Sequence, residues 1–245
     1  MDDVNSNSNI TLNSDMGESL GIHSFGNDEA LMRLVDVANV ACGFHSGDPD
    51  AMEATVRLAK EHGVRVGAHP GLPDLVGFGR REMKLMPSEV ESMIRYQVGA
   101  LVGFLHKYDL PLNHIKPHGS LYGMLARDEA LMQGAVAVAQ SYGVPIFGLA
   151  GSAHQAVAER EGVEFVAELY VDLDYNAEGG LIIQRRPENT DPQKAAARVR
   201  RVLEDGKVLA NDETILEIPF GSICIHSDTS NSPAVAQAVR EALGR

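Results

Sequence analysis

The sequence predicts an α/β fold in which parallel strands close, or nearly close, into a β/α barrel. Short apolar runs alternate with amphipathic helical segments, the pattern of βαβ units. About seven such units fit into 245 residues, which suits a barrel better than an open sheet. The rival is a doubly wound sheet, but no Gly-rich phosphate loop follows the first strand.

Residues 10–13 (ITLN) read as the first strand, and a helix follows from about Asp28 with Leu31, Leu34 and Val35 as its apolar stripe. Residues 37–42 (VANVAC) read as the second strand. Asp48 is placed to cap the next helix, with Pro49 at its first position and Met52, Val56 and Ala59 on one face. Gly63 ends that helix, and residues 64–68 (VRVGA) form the third strand. Pro87 and Ser88 open a longer helix carrying Val90, Met93, Ile94, Val98 and Leu101. Residues 114–116 (HIK) are a brief fourth strand, followed by a helix through Leu131, Val136 and Ala139. Residues 145–150 and 163–170 supply the fifth and sixth strands. A helix from Asp191–Pro192 to Gly206, a last strand at 222–226 (SICIH) and a last helix from Pro233 to Leu243 complete the chain. Residues 1–9, short, polar and unpatterned, read as a disordered tail, and 10–245 as one domain with no repeat or linker.

Composition excludes several classes of function. With 44% apolar residues the chain can bury a large core, yet no stretch of about 18 apolar residues could span a membrane. A formal net charge of −13 repels phosphate backbones and argues against nucleic acid as a partner. Two cysteines, Cys42 and Cys224, are too few for a disulfide framework and read as reduced core residues. The start of the chain is neither basic nor apolar, so a cytoplasmic protein is expected.

The polar residues carry the functional signal. Strand after strand ends in an ionisable side chain at its C-terminal edge: Asp15 and Glu18, His45 and Asp48, His69, Lys116 with His118 and Tyr122, and His226 with Asp228. In parallel barrels those edges surround one mouth, where catalytic groups collect. His23, His62, His106, His114 and His154 fall outside this pattern and read as surface or supporting residues. The loop 71–82 (GLPDLVGFGRRE) ends in Arg80 and Arg81, whose guanidinium groups suit recognition of a small carboxylate. Three histidines and one or two carboxylates permit two chemistries. Asp15, His45, His69 and His118 could hold a divalent metal that activates water, or a carboxylate could activate water while His or Lys protonates a departing nitrogen. No nucleophile elbow, CxxC or P-loop is present.

The motifs LNSDMGES, ANVACGFHSGDPDAM, VGAHPGLPDLVGFGRREM, YQVGAL, IKPHGSLY and ICIHSD, in that order, resemble the LamB/YcsF family from Ile10 to about Leu243. The resemblance implies an irregular seven-stranded β/α barrel related to polysaccharide deacetylases. It implies opening of a small lactam, 5-oxo-L-proline to L-glutamate, coupled to ATP hydrolysis in a complex with 5-oxoprolinase subunits B and C that supply the ATP chemistry. By position in those motifs, Asp15, His45, His69, Lys116 and His118 are the expected catalytic residues. Glu18, Asp48, Arg80, Arg81, Tyr122 and His226 are the expected substrate-binding residues. Deacetylase relatives bind a metal through an Asp and two His, which leaves a metal here an open expectation. Two departures stand out: the sequence reads ELYVDLDY where the family has a segment like EVFADRAY, placing Leu173 and Asp174 at the altered positions, and Ser227 replaces a Gly. If the missing Arg binds the substrate carboxylate, a different lactam follows, with Arg185 or Arg186 as candidates to replace it. A self-sufficient metal-dependent amidohydrolase or deacetylase, and a non-catalytic small-molecule-binding subunit, are the rival readings, and a homo-oligomer is left open.

Overall fold

The computed structural model describes residues 10–182 and 188–245. In chain order the elements are β1 (Thr11–Met16), α1 (Asp28–Leu31), β2 (Val37–Ala41), α2 (Pro49–His62), β3 (Arg65–His69), α3 (Pro87–Lys107), β4 (Leu112–Ile115), α4 (Gly119–Arg127), α5 (Glu129–Tyr142), β5 (Ile146–Gly148) and α6 (Ala153–Arg160). They continue with β6 (Phe165–Tyr170), β7 (Asp174–Tyr175), β8 (Leu181–Ile182), α7 (Pro192–Asp205), β9 (Lys207–Leu209), β10 (Ile215–Glu217), β11 (Ser222–Ile225) and α8 (Ser232–Ala242). Seven parallel strands close a barrel in the order β1-β11-β6-β5-β4-β3-β2, while β7–β8 and β9–β10 are small antiparallel hairpins outside it. No helix among the described residues is long and apolar enough to cross a membrane.

The seven barrel strands are those expected, and the capping signals act as read. Asp48 accepts the Ala51 backbone N–H at 2.9 Å, and Gly63 ends α2 with a left-handed φ of 69°. Four features differ. β1 runs on to Met16, so Asp15 lies inside the strand rather than after it. α1 is a single turn, leaving Leu34 and Val35 in the loop that follows. Helices α4 and α6 are additional. They are only 9 and 8 residues long, and α4 starts directly after His118 at a Gly-containing stretch that reads as rim loop. The two hairpins are likewise too short for a periodicity to register. The expected tail 1–9 and the candidates Arg185 and Arg186 lie outside the described residues.

Because strand side chains alternate, residues two apart share a face. That periodicity sends Asn13 and Asp15, Asn39, Gly67 and His69, His114, Glu168 and Tyr170, and Ser222 and Cys224 to the barrel interior, where hydrogen bonds run between neighbouring strands and across to strands that are not neighbours. Bulky branched residues usually fill such barrels; here a polar chain does. His114 Nε2–H donates to Asn39 Oδ1 at 2.7 Å, Asn39 Nδ2 to Asn13 Oδ1 at 2.7 Å, and Asn13 Nδ2 to Glu168 Oε1 at 3.2 Å. Every member of this chain is buried, and each has a partner, which keeps the burial affordable. His114, on β4, reaches Asn39, on β2, across the intervening β3. It passes directly over Gly67, where a Cβ would stand 1.9 Å from the ring carbon Cε1 of His114.

Gly67→Ala is therefore expected to lower stability by about 2 kcal/mol or more, measured as a shift in the urea midpoint. Combined with His114→Ala, the loss should be smaller than the sum of the two single losses, since the clashing ring is gone. Additive losses would contradict this account of Gly67.

Candidate active site

A cavity of about 440 Å³ opens at the C-terminal edge of the barrel. Its floor contains Asp15, His69, Lys116, His118 and His226, with Tyr122 and Arg80 on the walls. β1 and β3 deliver Asp15 and His69 from their C-terminal ends, and the residues just after β4 and β11 deliver Lys116, His118 and His226. Convergence of these side chains on one mouth is what the strand-end pattern predicts.

The centre is the buried pair Lys116–Asp15. Lys116 Nζ donates to Asp15 Oδ1 at 2.6 Å and to Cys224 Sγ at 3.1 Å, with Glu168 Oε1 at 3.8 Å and the Tyr170 ring centroid at 5.8 Å. Burial opposes charge on both partners. For Asp15, the neighbouring His69, Lys116 and His226 outweigh burial and hold the carboxyl well below its usual range. For Lys116, Asp15, Cys224 and Glu168 outweigh burial and hold the ammonium well above. Asn39 Nδ2 also donates to Asp15 Oδ1 at 2.8 Å, so Oδ1 is fully engaged. Oδ2 is less occupied, facing His69 Nε2 at 3.3 Å and His226 Nε2 at 3.7 Å.

His226 is the second cation. Asp172 accepts its backbone N–H at 2.7 Å and its Nδ1–H at 3.1 Å. Burial works against the imidazolium, but the Asp172 carboxylate and the charge of Asp15 overcome it and push the pKa up to about 9.

A different environment lies on the side of His45 and Glu18. His45 stacks flat on His118 with ring centroids 3.7 Å apart, and Gly79 (φ 64°) leaves room for both, since a Cβ there would lie 2.7 Å from His45 Cβ. Glu18 Oε1 stands 3.3 Å from His45 Nε2 and 3.8 Å from His118 Nδ1. Burial, then the charges of Asp15, Asp228 and Asp28, push the Glu18 carboxyl well above its usual range. Burial also pushes His45 and His118 well below theirs. His69 Nδ1 lies 2.7 Å from the Lys116 carbonyl and His118 Nε2 lies 2.8 Å from the Phe78 carbonyl. A carbonyl only accepts, so both of those nitrogens carry protons. The remaining nitrogens, His69 Nε2 and His118 Nδ1, face each other at 3.0 Å. Glu18, His45, His69 and His118 bring four ligand-type atoms within 4.8 Å of one another. Asp15, expected among the metal candidates, instead groups with Cys224 and His226.

Three expected substrate contacts, Glu18, Asp48 and Arg81, stand away from the cavity. Asp48 caps α2 and accepts the Gly21 N–H at 2.6 Å. Arg81 is exposed and donates to Asp74 at 2.9 Å. Glu18 and His45 lie behind His69 and His118 rather than on the cavity surface. Arg80 does reach the cavity, paired with Asp228 at 2.7 Å. Leu173 also lines it, and Ser227 is buried beside it near Gly26. Sequence reasoning missed Asn39, Glu168, Tyr170 and Asp172. The last three occupy alternate positions along one strand and its exit, a period-2 polar stripe inside an apolar run that could have marked them. His154 is buried, bonded to the Tyr122 carbonyl at 3.0 Å and edge-on to its ring.

Residues 10–245 match the model of the LamB/YcsF family. The lactam utilization protein lamB of Emericella nidulans is 48% identical over 222 residues, covering 89% of this chain and 87% of its own. The A-type component of 5-oxoprolinase from Thermus thermophilus is 44% identical over 238 residues, covering 96% and 95%. The crystal structure of a lactam utilization protein from Thermus thermophilus superposes with a TM-score of 0.89 at 43% identity, covering 96% of both chains.

His226 should titrate near pH 9 in the folded protein, followed by histidine ring NMR, and Asp172→Asn should return it to or below its ordinary 6.5. A folded pKa raised this way contributes stability that is complete below about pH 6.5 and is lost as the pH rises through about 9. A His226 that titrates below 7 in the wild type would contradict the assignment.

Proposed function

We propose that this chain, which belongs to the LamB/YcsF family, is the lactam-hydrolysing component of an ATP-dependent 5-oxoprolinase that opens 5-oxo-L-proline to L-glutamate. The observation that carries this reading is the charged cavity floor. One carboxylate stands between an ammonium at 2.6 Å and an imidazolium at 3.7 Å, all buried at the base of a cavity large enough for a small cyclic amide.

Opening a lactam needs a base for water, stabilisation of the oxyanion and a proton for the departing nitrogen. Asp15 lines the cavity, is ionised, and has Oδ2 clear of the Lys116 ammonium, so it takes the proton of the attacking water. Lys116 sits at the same floor as a fixed cation for the negative charge carried by the phosphorylated lactam oxygen. His226, protonated at neutral pH, delivers the proton to nitrogen, and Asp172 holds it in place. His69 braces Asp15 from the other side. Arg80, oriented by Asp228, anchors the substrate carboxylate, while Tyr122 and Leu173 shape the walls.

An unstrained five-membered lactam is a resonance-stabilised amide and resists water. Coupling to ATP answers that: partner subunits B and C phosphorylate the lactam oxygen, water then adds to the activated carbon, and the ring nitrogen leaves. The resulting acyl phosphate is hydrolysed to the carboxylate and inorganic phosphate. This sequence carries no phosphate loop, in keeping with ATP bound by the partners. The complex is cytoplasmic, where ATP is at hand.

Incubated with 5-oxo-L-proline, ATP and both partner subunits, the protein should release glutamate, and omission of either partner or of ATP should abolish it. His226→Gln should lower kcat by about 10²–10⁴-fold in the same assay. Turnover without partners or ATP would replace this reading with a self-sufficient amidohydrolase, and no turnover by the assembled complex would refute the substrate.

A further inference from the structure

We infer that Glu18, His45, His69 and His118 form a binding site for one borderline divalent cation of the Zn²⁺ class. The inference stands on the geometry of these four side chains and does not depend on the lactam reading. Its ligand set differs from the one the strand-end pattern suggests, because Asp15 is replaced by Glu18.

The first observation is the opposition of two lone pairs. The protons of His69 and His118 are committed to the carbonyls of Lys116 and Phe78, at 2.7 and 2.8 Å. In the neutral rings, His69 Nε2 and His118 Nδ1 are both acceptors, and they meet at 3.0 Å in a buried site. Asp15 Oδ2 stands 3.3 Å from the same His69 nitrogen, so three acceptors converge there and need a positive group between them, a proton on His69 or a cation. A histidine that ligates a metal characteristically donates its other ring N–H to a carbonyl or carboxylate, which fixes the tautomer and aims the free nitrogen. Both rings are held in that way.

The second observation is spacing. Ligand atoms about 2.0–2.1 Å from a tetrahedral Zn²⁺ lie about 3.3 Å from each other. The measured separations are 3.0 Å for His69 to His118, 3.3 Å for Glu18 to His45 and 3.8 Å for Glu18 to His118, and all four ligand atoms fall within 4.8 Å. Three imidazoles and one carboxylate are a donor set for Zn²⁺ or Co²⁺ rather than for Ca²⁺ or Mg²⁺, which prefer all-oxygen ligands.

The third is the contrast with Asp15. Its Oδ1 is occupied by the Lys116 ammonium at 2.6 Å and Asn39 at 2.8 Å. A cation ligated there would sit against a fixed positive charge. Glu18 feels the charge of Arg80, but its oxygen points into the histidine cluster, 3.3 Å from His45 Nε2 and 3.8 Å from His118 Nδ1. Since His69 and His118 line the cavity while Glu18 and His45 stand behind them, the cation borders the substrate space.

The test is binding, with no assay of activity. Chelator-treated full-length protein is titrated with Zn²⁺ by calorimetry and with Co²⁺ by visible absorption. One equivalent should bind, the Co²⁺ form should show tetrahedral d–d bands, and Glu18→Gln and His118→Asn should weaken binding by about 100-fold or more. His62→Ala and His106→Ala, both exposed on helices, should leave it unchanged. Should a variant fail to fold by circular dichroism, ¹⁵N-histidine NMR of the wild type decides the matter. Zn²⁺ should shift His69 Nε2 and His118 Nδ1 and leave His226 in place. Absence of stoichiometric binding, binding unaffected by Glu18→Gln and His118→Asn, or a proton shared by His69 and His118 that Zn²⁺ does not displace would overturn the inference. Lactam turnover can succeed or fail in the complex without altering any of these readouts.

Discussion

A single ammonium group buried inside the barrel sets the terms for the rest of the site. An unpaired buried cation would cost several kcal/mol even after the protein relaxes around it, so Lys116 is tolerable only with acceptors on several sides. Asp15 from β1, Glu168 from β6 and Cys224 from β11 supply them. Each acceptor then needs support of its own. Asn39 and Asn13 brace the two carboxylates, His114 braces Asn39, and Tyr170 donates to Glu168 at 2.9 Å. Gly67 is the clearance that lets this network cross the barrel. A polar interior of this kind stabilises less than an aliphatic one, and its presence is explained by the charge it holds at the cavity floor.

The same ion pair divides the mouth in two. On one side Asp15, Lys116, Asp172 and His226 are charged and locked into complementary pairs. On the other, Glu18, His45 and His118 are driven toward their neutral forms by burial. His69 touches both halves, through Asp15 at 3.3 Å and His118 at 3.0 Å. The charged half has the groups that water activation and nitrogen protonation require, and the neutral half gathers imidazole nitrogens and a carboxyl oxygen within 4.8 Å of one another. Two environments a few ångströms apart give one cavity two kinds of chemistry.

Much of this was legible in the sequence because it follows from local rules. Strand and helix alternation announced the barrel, and Asp48, Pro49 and Gly63 marked α2 at both ends. Ionisable residues at successive strand ends pointed to Asp15, His69, Lys116, His118 and His226. What escaped was either tertiary or too short to carry a period. Glu168, Tyr170 and Asp172 lie in a strand that reads as apolar core, and only the arrival of Lys116 from the other side of the barrel gives Glu168 its purpose. Arg81 was indistinguishable in sequence from a cavity residue, yet a local partner, Asp74, claims it, and Asp48, read both as the α2 cap and as a cavity residue, serves as the cap. Helices α4 and α6, of 9 and 8 residues, offered too few turns to show a face.

The central claim is that the Asp15–Lys116 pair is kept for chemistry and not for stability. The most direct measurement is the double replacement Asp15→Asn/Lys116→Met, near-isosteric and uncharged, followed in parallel by urea unfolding and by glutamate release in the reconstituted complex. Removing a buried pair as a unit is often neutral or stabilising, whereas removing one partner strands the other charge. The account predicts a stability within about 2 kcal/mol of the wild type together with loss of turnover. Turnover retained by the folded double variant, or a fold that collapses without the pair, would contradict it.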